Sequence, residues 1–310
     1  MSQPEFRQDP LTRAWVGMVP GRRGIGGMRP AGLPEPSVRC PFCPGHESDT
    51  EASTFEVGVP WRVRSVRNRF PIVRDDLESM PLPPSLAAEG LHEVIIESRA
   101  HDKDLATMTP DEAHDILLAW RDRTRALASA PKAESVLLFR NKGRRAGSSQ
   151  PHPHAQVVAL PFVPPNVALR QLVLKDDAEV FQRTLEAERR GQGVVIDADG
   201  IVTYCPFASP RGFWARVVVD APIKRFAEVP DAMLPRLASR VRDAVRRALQ
   251  VSGATDYNIL VMDPPLDAQR GYFTIEIVPR TGGDAGFELA SGTSLCIVLP
   301  EVAAAQMRAC

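Results

Sequence analysis

Two histidines one residue apart, in Gly147-Ser148-Ser149-Gln150-Pro151-His152-Pro153-His154-Ala155-Gln156, stand where a strand should begin. In an extended chain residues i and i+2 share a face, so both imidazoles can border one site. Pro153 fixes its own φ and restrains His152, which reduces the disorder of the pair. A bare H-x-H is more often two surface histidines in a proline-rich loop, but the serines, Gly147 and Gln156 around it favour a reactive site. A neutral imidazole is a good nucleophile at phosphorus near neutral pH, and it departs readily once it carries positive charge. On that chemistry His154 forms a covalent bond to phosphorus while Ser149 and Gln156 hydrogen-bond the nonbridging oxygens. A backbone carbonyl on its other ring nitrogen could orient it.

Cys40 and Cys43 form the one close pair among five cysteines, Cys40, Cys43, Cys205, Cys296 and Cys310. An isolated C-x-x-C is a redox pair or half of a zinc knuckle, and a tetrahedral site needs two more ligands. His101, after one strand, and His152, before another, could complete a Cys2His2 set; a solvated loop histidine is the plainer reading of His101. His46, His92 and His114 are rival ligands of lower rank. His114 falls in a helix, His92 begins a strand, and His46 is close enough to Cys43 to strain the site.

The elements that must position these groups follow from local pattern. Thr109, Pro110 and Glu112 supply an N-cap, a first-turn proline and a capping-box acid ahead of Ile116, Leu117 and Trp120, so a helix begins there. Val94-Ile95-Ile96, Ser135 to Phe139 and Gln156 to Leu160 are apolar strands, with a Gly- and Ser-bearing loop from Asn141 to Ser149. Asn166 to Arg190 reads as one helix ending at Gly191, and Val194 to Thr203 as a hairpin turned at Asp199-Gly200. Arg22 to Ser37, rich in Gly, Pro and Arg, reads as a surface loop whose arginines could meet phosphate.

The second half of the chain repeats the order of the first at an offset of roughly 120 residues. Cys40-Pro-Phe is echoed by Cys205-Pro-Phe207, Val94–Ile96 by Val217–Val219, and Trp120-Arg-Asp122 by Val241-Arg-Asp243. Ser135–Phe139 matches Tyr257–Val261, and His152-Pro-His154-Ala-Gln156 lies opposite Tyr272-Phe-Thr274-Ile-Glu276. The expected fold is therefore α+β: two half-domains, 1–165 and 166–310, each an antiparallel sheet with packed helices, with the histidines kept only in the first.

Composition narrows the partners. The 310 residues hold 38 Lys+Arg against 38 Asp+Glu, so no basic field gathers nucleic acid or acidic lipid. The chain lacks an apolar run of the roughly 18 residues that span a bilayer and a signal-peptide core, which points to the cytoplasm. There, C-x-x-C favours metal or redox chemistry over a disulfide framework.

Cys40-Pro-Phe-Cys43-Pro-Gly, Glu97-Ser-Arg-Ala-His101, Asn141-Lys-Gly143 through Ser149 to His152-Pro-His154-Ala-Gln156, and Ala285-Gly-Phe-Glu288 occur in this order. Together they resemble the motifs of the galactose-1-phosphate uridylyltransferases of the histidine-triad superfamily, over nearly the whole chain. The resemblance implies two histidine-triad-like halves, a nucleotidyl group carried on His154, and one structural zinc held by Cys40, Cys43, His101 and His152. It further implies that Asn141, Gly147, Ser148, Ser149 and Gln156 meet the phosphates or the covalent intermediate, that Asn68 meets the nucleotide and Glu288 the sugar, and that Arg22 is the best match for a phosphate-binding arginine. The expected substrates are UDP-glucose and a sugar 1-phosphate in ping-pong transfer, and family precedent suggests a homodimer.

One departure is expected to matter. Family members often carry H-x-H in the second half as part of another metal site, where this chain has Tyr272 and Thr274, so a second metal is not expected. Alternatives are an ADP- or other NDP-sugar phosphorylase or adenylyltransferase using the same His154, and a zinc-stabilised nucleotide-binding module without catalysis. A hydrolase of the superfamily usually has a third histidine where this chain has Gln156, which cannot protonate a leaving group in the same way.

Overall fold

A computed structural model describes residues 3–20, 39–77 and 85–310. In chain order the elements are β1 (Glu5–Gln8), β2 (Trp15–Met18), β3 (Ser53–Val57), β4 (Val63–Arg67), β5 (Leu91–Ile96), α1 (Pro110–Leu127), β6 (Ser135–Lys142), β7 (His154–Leu160), α2 (Pro165–Asp176), α3 (Val180–Arg190), β8 (Val194–Ala198), β9 (Ile201–Tyr204), β10 (Ala215–Val219), α4 (Leu234–Ser252), β11 (Tyr257–Met262), β12 (Thr274–Pro279), α5 (Gly286–Ser291), β13 (Ser294–Cys296) and α6 (Pro300–Arg308). Arg22 and the Arg22 to Ser37 loop lie outside the described residues. No described helix is long and apolar enough to cross a membrane.

Local chemistry sets the ends of these elements. Thr109 accepts the Glu112 N–H while Glu112 accepts the Thr109 N–H, the reciprocal cap expected from sequence. Asp199 (φ 58°) and Gly200 (φ 71°) both take positive φ, as the two-residue β8–β9 turn requires. The helix expected from Asn166 to Arg190 is instead two. Asp177 is extended and its side chain accepts the Glu179 N–H, ending α2 before α3 starts. A local Asx turn competes with helix there, and apolar periodicity does not register it.

Ten strands form one antiparallel sheet in the order β3-β4-β5-β7-β6-β11-β12-β10-β9-β8. Read inward from either edge the order is the same, so the fold is two duplicated histidine-triad-like halves joined where β6 pairs with β11. A separate small sheet, β1-β2-β13, lies outside it.

The registers correct the sequence alignment in two places. Val94 and Phe139 flank Gln156, while Arg216 and Leu260 flank Glu276. With Gln156 opposite Glu276, the counterparts of Val94 and Phe139 are Arg216 and Leu260, one residue earlier than the sequence pairing. Strands buried on both faces carry no period-2 signal, so a one-residue slip passes unseen. The Cys40/Cys205 echo is also coincidental: Cys40 precedes β3, whereas Cys205 follows β9, the counterpart of β4, and corresponds in register to Arg67.

Helices α1 and α4 pack on one face of the sheet, where Ile116, Leu117, Trp120, Leu237, Val241 and Val245 meet Ala155, Val157, Ile275 and Ile277. Beneath α1 a buried polar chain ties the halves together. Arg140 on β6 pairs with Glu97 (2.7 Å) and donates to the Tyr257 hydroxyl on β11 (2.6 Å), which donates to Asp104, while Trp120 donates to Glu97. The opposite face differs between the halves. In the second, α2 and α3 cover it, packing Val173, Leu174, Phe181 and Leu185 on Val202, Tyr204, Val218 and Tyr272. In the first, it carries His154.

Candidate active site

Strand β7 opens with the histidine pair. Ile96 is the cross-strand partner of His154, and Pro153 O accepts the Glu97 N–H, so the neighbouring strand fixes the backbone of the motif. Both rings are buried. His152 Nε2 lies 2.8 Å from the Ser98 carbonyl, which can only accept, so that nitrogen carries the proton and Nδ1 keeps its lone pair. That Nδ1 stands 3.7 Å from Cys40 Sγ and 3.6 Å from Cys43 Sγ, and His101 Nδ1 is 3.4 Å from Cys43 Sγ.

Around a tetrahedral zinc with Zn–S of about 2.3 Å and Zn–N of about 2.0–2.1 Å, sulfur and nitrogen ligands stand about 3.6 Å apart. All four donor atoms lie within 4.8 Å of one another. Burial, then the neighbouring Cys40, pushes the Cys43 thiol up to about 11, so a bound cation is what would hold it as thiolate. Burial drives His152 down to about 4, keeping it neutral, as a ligand must be. The rival ligands are occupied elsewhere: His46 Nδ1 bonds the Cys40 carbonyl, His92 meets Asn68 and Gln156, and His114 stays on α1.

His154 is oriented by the same logic. Its Nδ1 lies 2.8 Å from the His152 carbonyl, so Nδ1–H donates and Nε2 is left with the lone pair. Burial, with Arg140 and Lys142 nearby, lowers its pKa below the ordinary histidine value. The ring of Phe42, carried by the Cys40–Cys43 turn, sits 5.5 Å from it.

The sheet registers set out its neighbours. His154 stands in one cross-strand row with Ile96 and Asn141, and Asn141 pairs with Asn258; Gln156 stands in the next row with Val94 and Phe139. Asn68 follows β4, and its amide nitrogen lies 3.4 Å from Gln156 Oε1. Gly147 (φ 86°) ends the short turn after β6, Ser148 Oγ bonds the Gln150 carbonyl, and Ser149 is exposed with no side-chain hydrogen bond among the described residues. Glu288 is not brought to this cluster: its carboxylate accepts the Ala285 N–H at the start of α5. Sequence reasoning missed His92, demoted as a weak metal ligand, and Asn258, hidden in an apolar strand. Only the strand registers bring either to Gln156 and Asn141.

In the second half the positions facing His152 to Gln156 serve an ion-pair network. Arg170 from α2 bonds Thr274 (3.0 Å) and Glu276 (3.1 Å), Arg216 bonds Glu276 (2.7 Å), and Trp214 bonds its other oxygen (2.6 Å). Against burial, Arg216 and Arg170 hold Glu276 below the usual carboxylate range. Tyr272 is stacked on Phe181 at 4.1 Å.

Comparison with known proteins agrees with this geometry. The sequence model for galactose-1-phosphate uridyl transferase, N-terminal domain, matches residues 26–164. ADP-glucose phosphorylase of Arabidopsis thaliana is 30% identical over 98% of this chain and 92% of its own length. The chain belongs to the galactose-1-phosphate uridylyltransferase family.

Galactose-1-phosphate uridylyltransferase of Streptomyces lividans is 30% identical over 64% of this chain and 51% of its own. A crystal structure of the Arabidopsis ADP-glucose phosphorylase with bound ADP-glucose superposes with a TM-score of 0.86, covering 99% of each chain at 28% identity. As a member of this family the protein is an enzyme of nucleotidyl transfer, and its Cys2His2 cluster is one that could bind a metal.

Proposed function

We propose that the protein carries a nucleoside monophosphate on His154 Nε2, taken from a nucleoside diphosphate sugar. The observation that carries this reading is the 2.8 Å bond from His154 Nδ1 to the His152 carbonyl, which leaves Nε2 deprotonated in a buried, neutral ring. Nε2 attacks the α-phosphorus, the bond to the bridging oxygen breaks, and sugar 1-phosphate leaves. The acceptor oxyanion then attacks the same phosphorus, and the P–N bond breaks to return neutral imidazole. Ser149, Gln156 and Asn141, with the turn at Gly147 and Ser148, would hold nonbridging oxygens, and Asn68 the nucleotide. Cys40, Cys43, His101 and His152 would hold a structural zinc, which supplies no chemistry at phosphorus but fixes the carbonyl that orients His154. A homodimer belongs to the same proposal, as does contact of Glu288 with the sugar.

The full-length likeness to ADP-glucose phosphorylase supports ADP-glucose as donor and inorganic phosphate as acceptor, giving ADP and glucose 1-phosphate. The match of residues 26–164 to the uridyl transferase N-terminal domain favours a second reading, UMP transfer from UDP-glucose to a hexose 1-phosphate. Intact mass after mixing with ADP-glucose or UDP-glucose separates them: an adenylyl or a uridylyl adduct forms, and His154→Ala forms neither. A nucleotide-binding module without catalysis would bind and acquire no adduct.

A further inference from the structure

Two side-chain amides flank His154, and the carbonyl end of each is pinned from behind by a group whose polarity the main chain decides. Ala146 O can only accept, so the Asn258 atom 2.8 Å from it must be the amide nitrogen. The same nitrogen lies 2.8 Å from Asn141, so the Asn141 atom facing it must be Oδ1. Likewise the Ile72 N–H can only donate, and it points at His92 Nδ1 (3.0 Å). A neutral His92 then carries its proton on Nε2, and the Gln156 atom 3.0 Å away must be Oε1. His92 is 3% exposed, and burial lowers its pKa, which keeps it neutral. Asn68 Oδ1 accepts the Phe70 N–H, so the Asn68 atom 3.0 Å from Nε2 and 3.5 Å from Nδ1 is its amide nitrogen, and the acceptor open to it with Nε2 protonated is Gln156 Oε1, 3.4 Å away.

Neither Gln156 Nε2 nor Asn141 Nδ2 has a hydrogen-bond partner among the described residues, and neither is a buried unsatisfied atom. Both therefore open toward the His154 side of the sheet with N–H groups outward. We propose that His92 and Asn258 are positioning residues that fix the amide polarity of Gln156 and Asn141, so that both present donors to the substrate phosphates at His154. The proposal rests on the nucleotidyl-transfer reading. It gives the half without histidines a part in the chemistry, since Asn258 reaches Asn141 through the β6–β11 pairing. An amide free to rotate must be ordered before it donates to an anion, whereas a fixed one already presents its N–H and avoids that cost.

Two double-mutant cycles test this, read on calorimetric affinity for ADP and UDP and on the rate of adduct formation. Asn258→Leu should weaken nucleotide binding about tenfold in the wild-type background, and less than about twofold once Asn141→Ala has removed the amide it orients. His92→Phe should behave in the same way against Gln156→Ala, and His92→Gln, which keeps an N–H donor, should recover part of the loss. Should Asn258→Leu fail to fold by its melting curve, the isosteric Asn258→Asp replaces it: it turns the Asn141 nitrogen inward, and its loss should be largely suppressed by Asn141→Ala. Additive cycles overturn the proposal, as does a wild-type protein that binds neither nucleotide. Coupled cycles in a protein that binds but forms no adduct would leave the amide assignment standing and remove the transfer reading instead.

Discussion

Gly143 and Gly147 bracket the turn between β6 and the loop that leads to His152, and both have φ near +85°, yet alanine should be tolerated at only one of them. Gly143 has ψ 163°, a region essentially restricted to glycine, where a side chain costs about 1–3 kcal/mol. An added Cβ would also lie 2.3 Å from Asp256 Cγ. Asp256 cannot swing aside freely, because it accepts the Arg145 N–H (2.9 Å) and the Thr255 hydroxyl (2.9 Å). Losing the charge-assisted bond adds about 1.5–3 kcal/mol, so Gly143→Ala should lose about 3–5 kcal/mol in all. Gly147 has ψ 16°, the left-handed helical region, where alanine costs about 1–2 kcal/mol. Its nearest neighbour would be Asn141 Nδ2, at an uncrowded 3.8 Å. Urea unfolding followed by tryptophan fluorescence should place Gly143→Ala about 1–4 kcal/mol below Gly147→Ala, with equal m-values. In the transfer assay Gly147→Ala should instead lose rate, since its methyl group enters the space beside the Asn141 donor. If the two variants unfold within about 0.5 kcal/mol of each other, the steric reasoning is wrong.

Metal analysis should find one zinc per chain, and a chelator or Cys43→Ala should lower the melting temperature by about 10 °C, because loss of the ion releases three separate segments from one another. Adduct formation by zinc-loaded enzyme should stay level as pH falls to the ordinary histidine value and decline only below it, since burial lowers the pKa of His154 and the nucleophile must be neutral. The same shift makes the His154 contribution to stability full above the unfolded histidine pKa and lost as pH falls toward the folded one, so the stability difference between wild type and His154→Gln should change as pH falls below the unfolded value, and a difference that stays level contradicts it. Tyr257→Phe should cost about 1–3 kcal/mol by calorimetry, because Arg140 and Asp104 lose the hydroxyl between them and Arg140 Nη2 already has no partner.

Much of this was legible in the residues themselves. The Thr109 cap, the Asp199-Gly200 turn and the H-x-H at the head of β7 each depend on local backbone chemistry, which sequence states directly. The four residues of the Cys2His2 cluster were legible through motif order, because tetrahedral geometry needs four donors and few histidines were available. What escaped depends on register. His92 and Asn258 act across strands, and the one-residue slip between the halves came from strands whose sequence is apolar on both faces, where no alternation of residue type marks which side a residue takes. The break at Asp177 escaped because a side-chain oxygen satisfying a nearby N–H ends a helix without changing its apolar period.

The duplication also accounts for why only one half is placed to do chemistry. In each half the strand beside the central pair turns alternate residues, His154 and Gln156 in β7 and Thr274 and Glu276 in β12, onto the face away from α1 and α4. In the second half, α2 and α3 lie directly on that face, and the positions equivalent to His154 and Gln156 are bound to Arg170, delivered by α2 itself. The buried Glu276 carboxylate has both oxygens bonded, to two guanidiniums and an indole N–H, and removing Arg170 would leave it a poorer pairing at low dielectric. No ligand could enter without displacing both helices. Among the described residues the first half has no helix pair there, and its equivalent positions keep amide nitrogens without a partner and a free imidazole lone pair. Divergence of the halves therefore reads as a division of labour: one copy seals its face to brace the sheet, and through Asn258 on β11 it holds Asn141 of the half that carries His154.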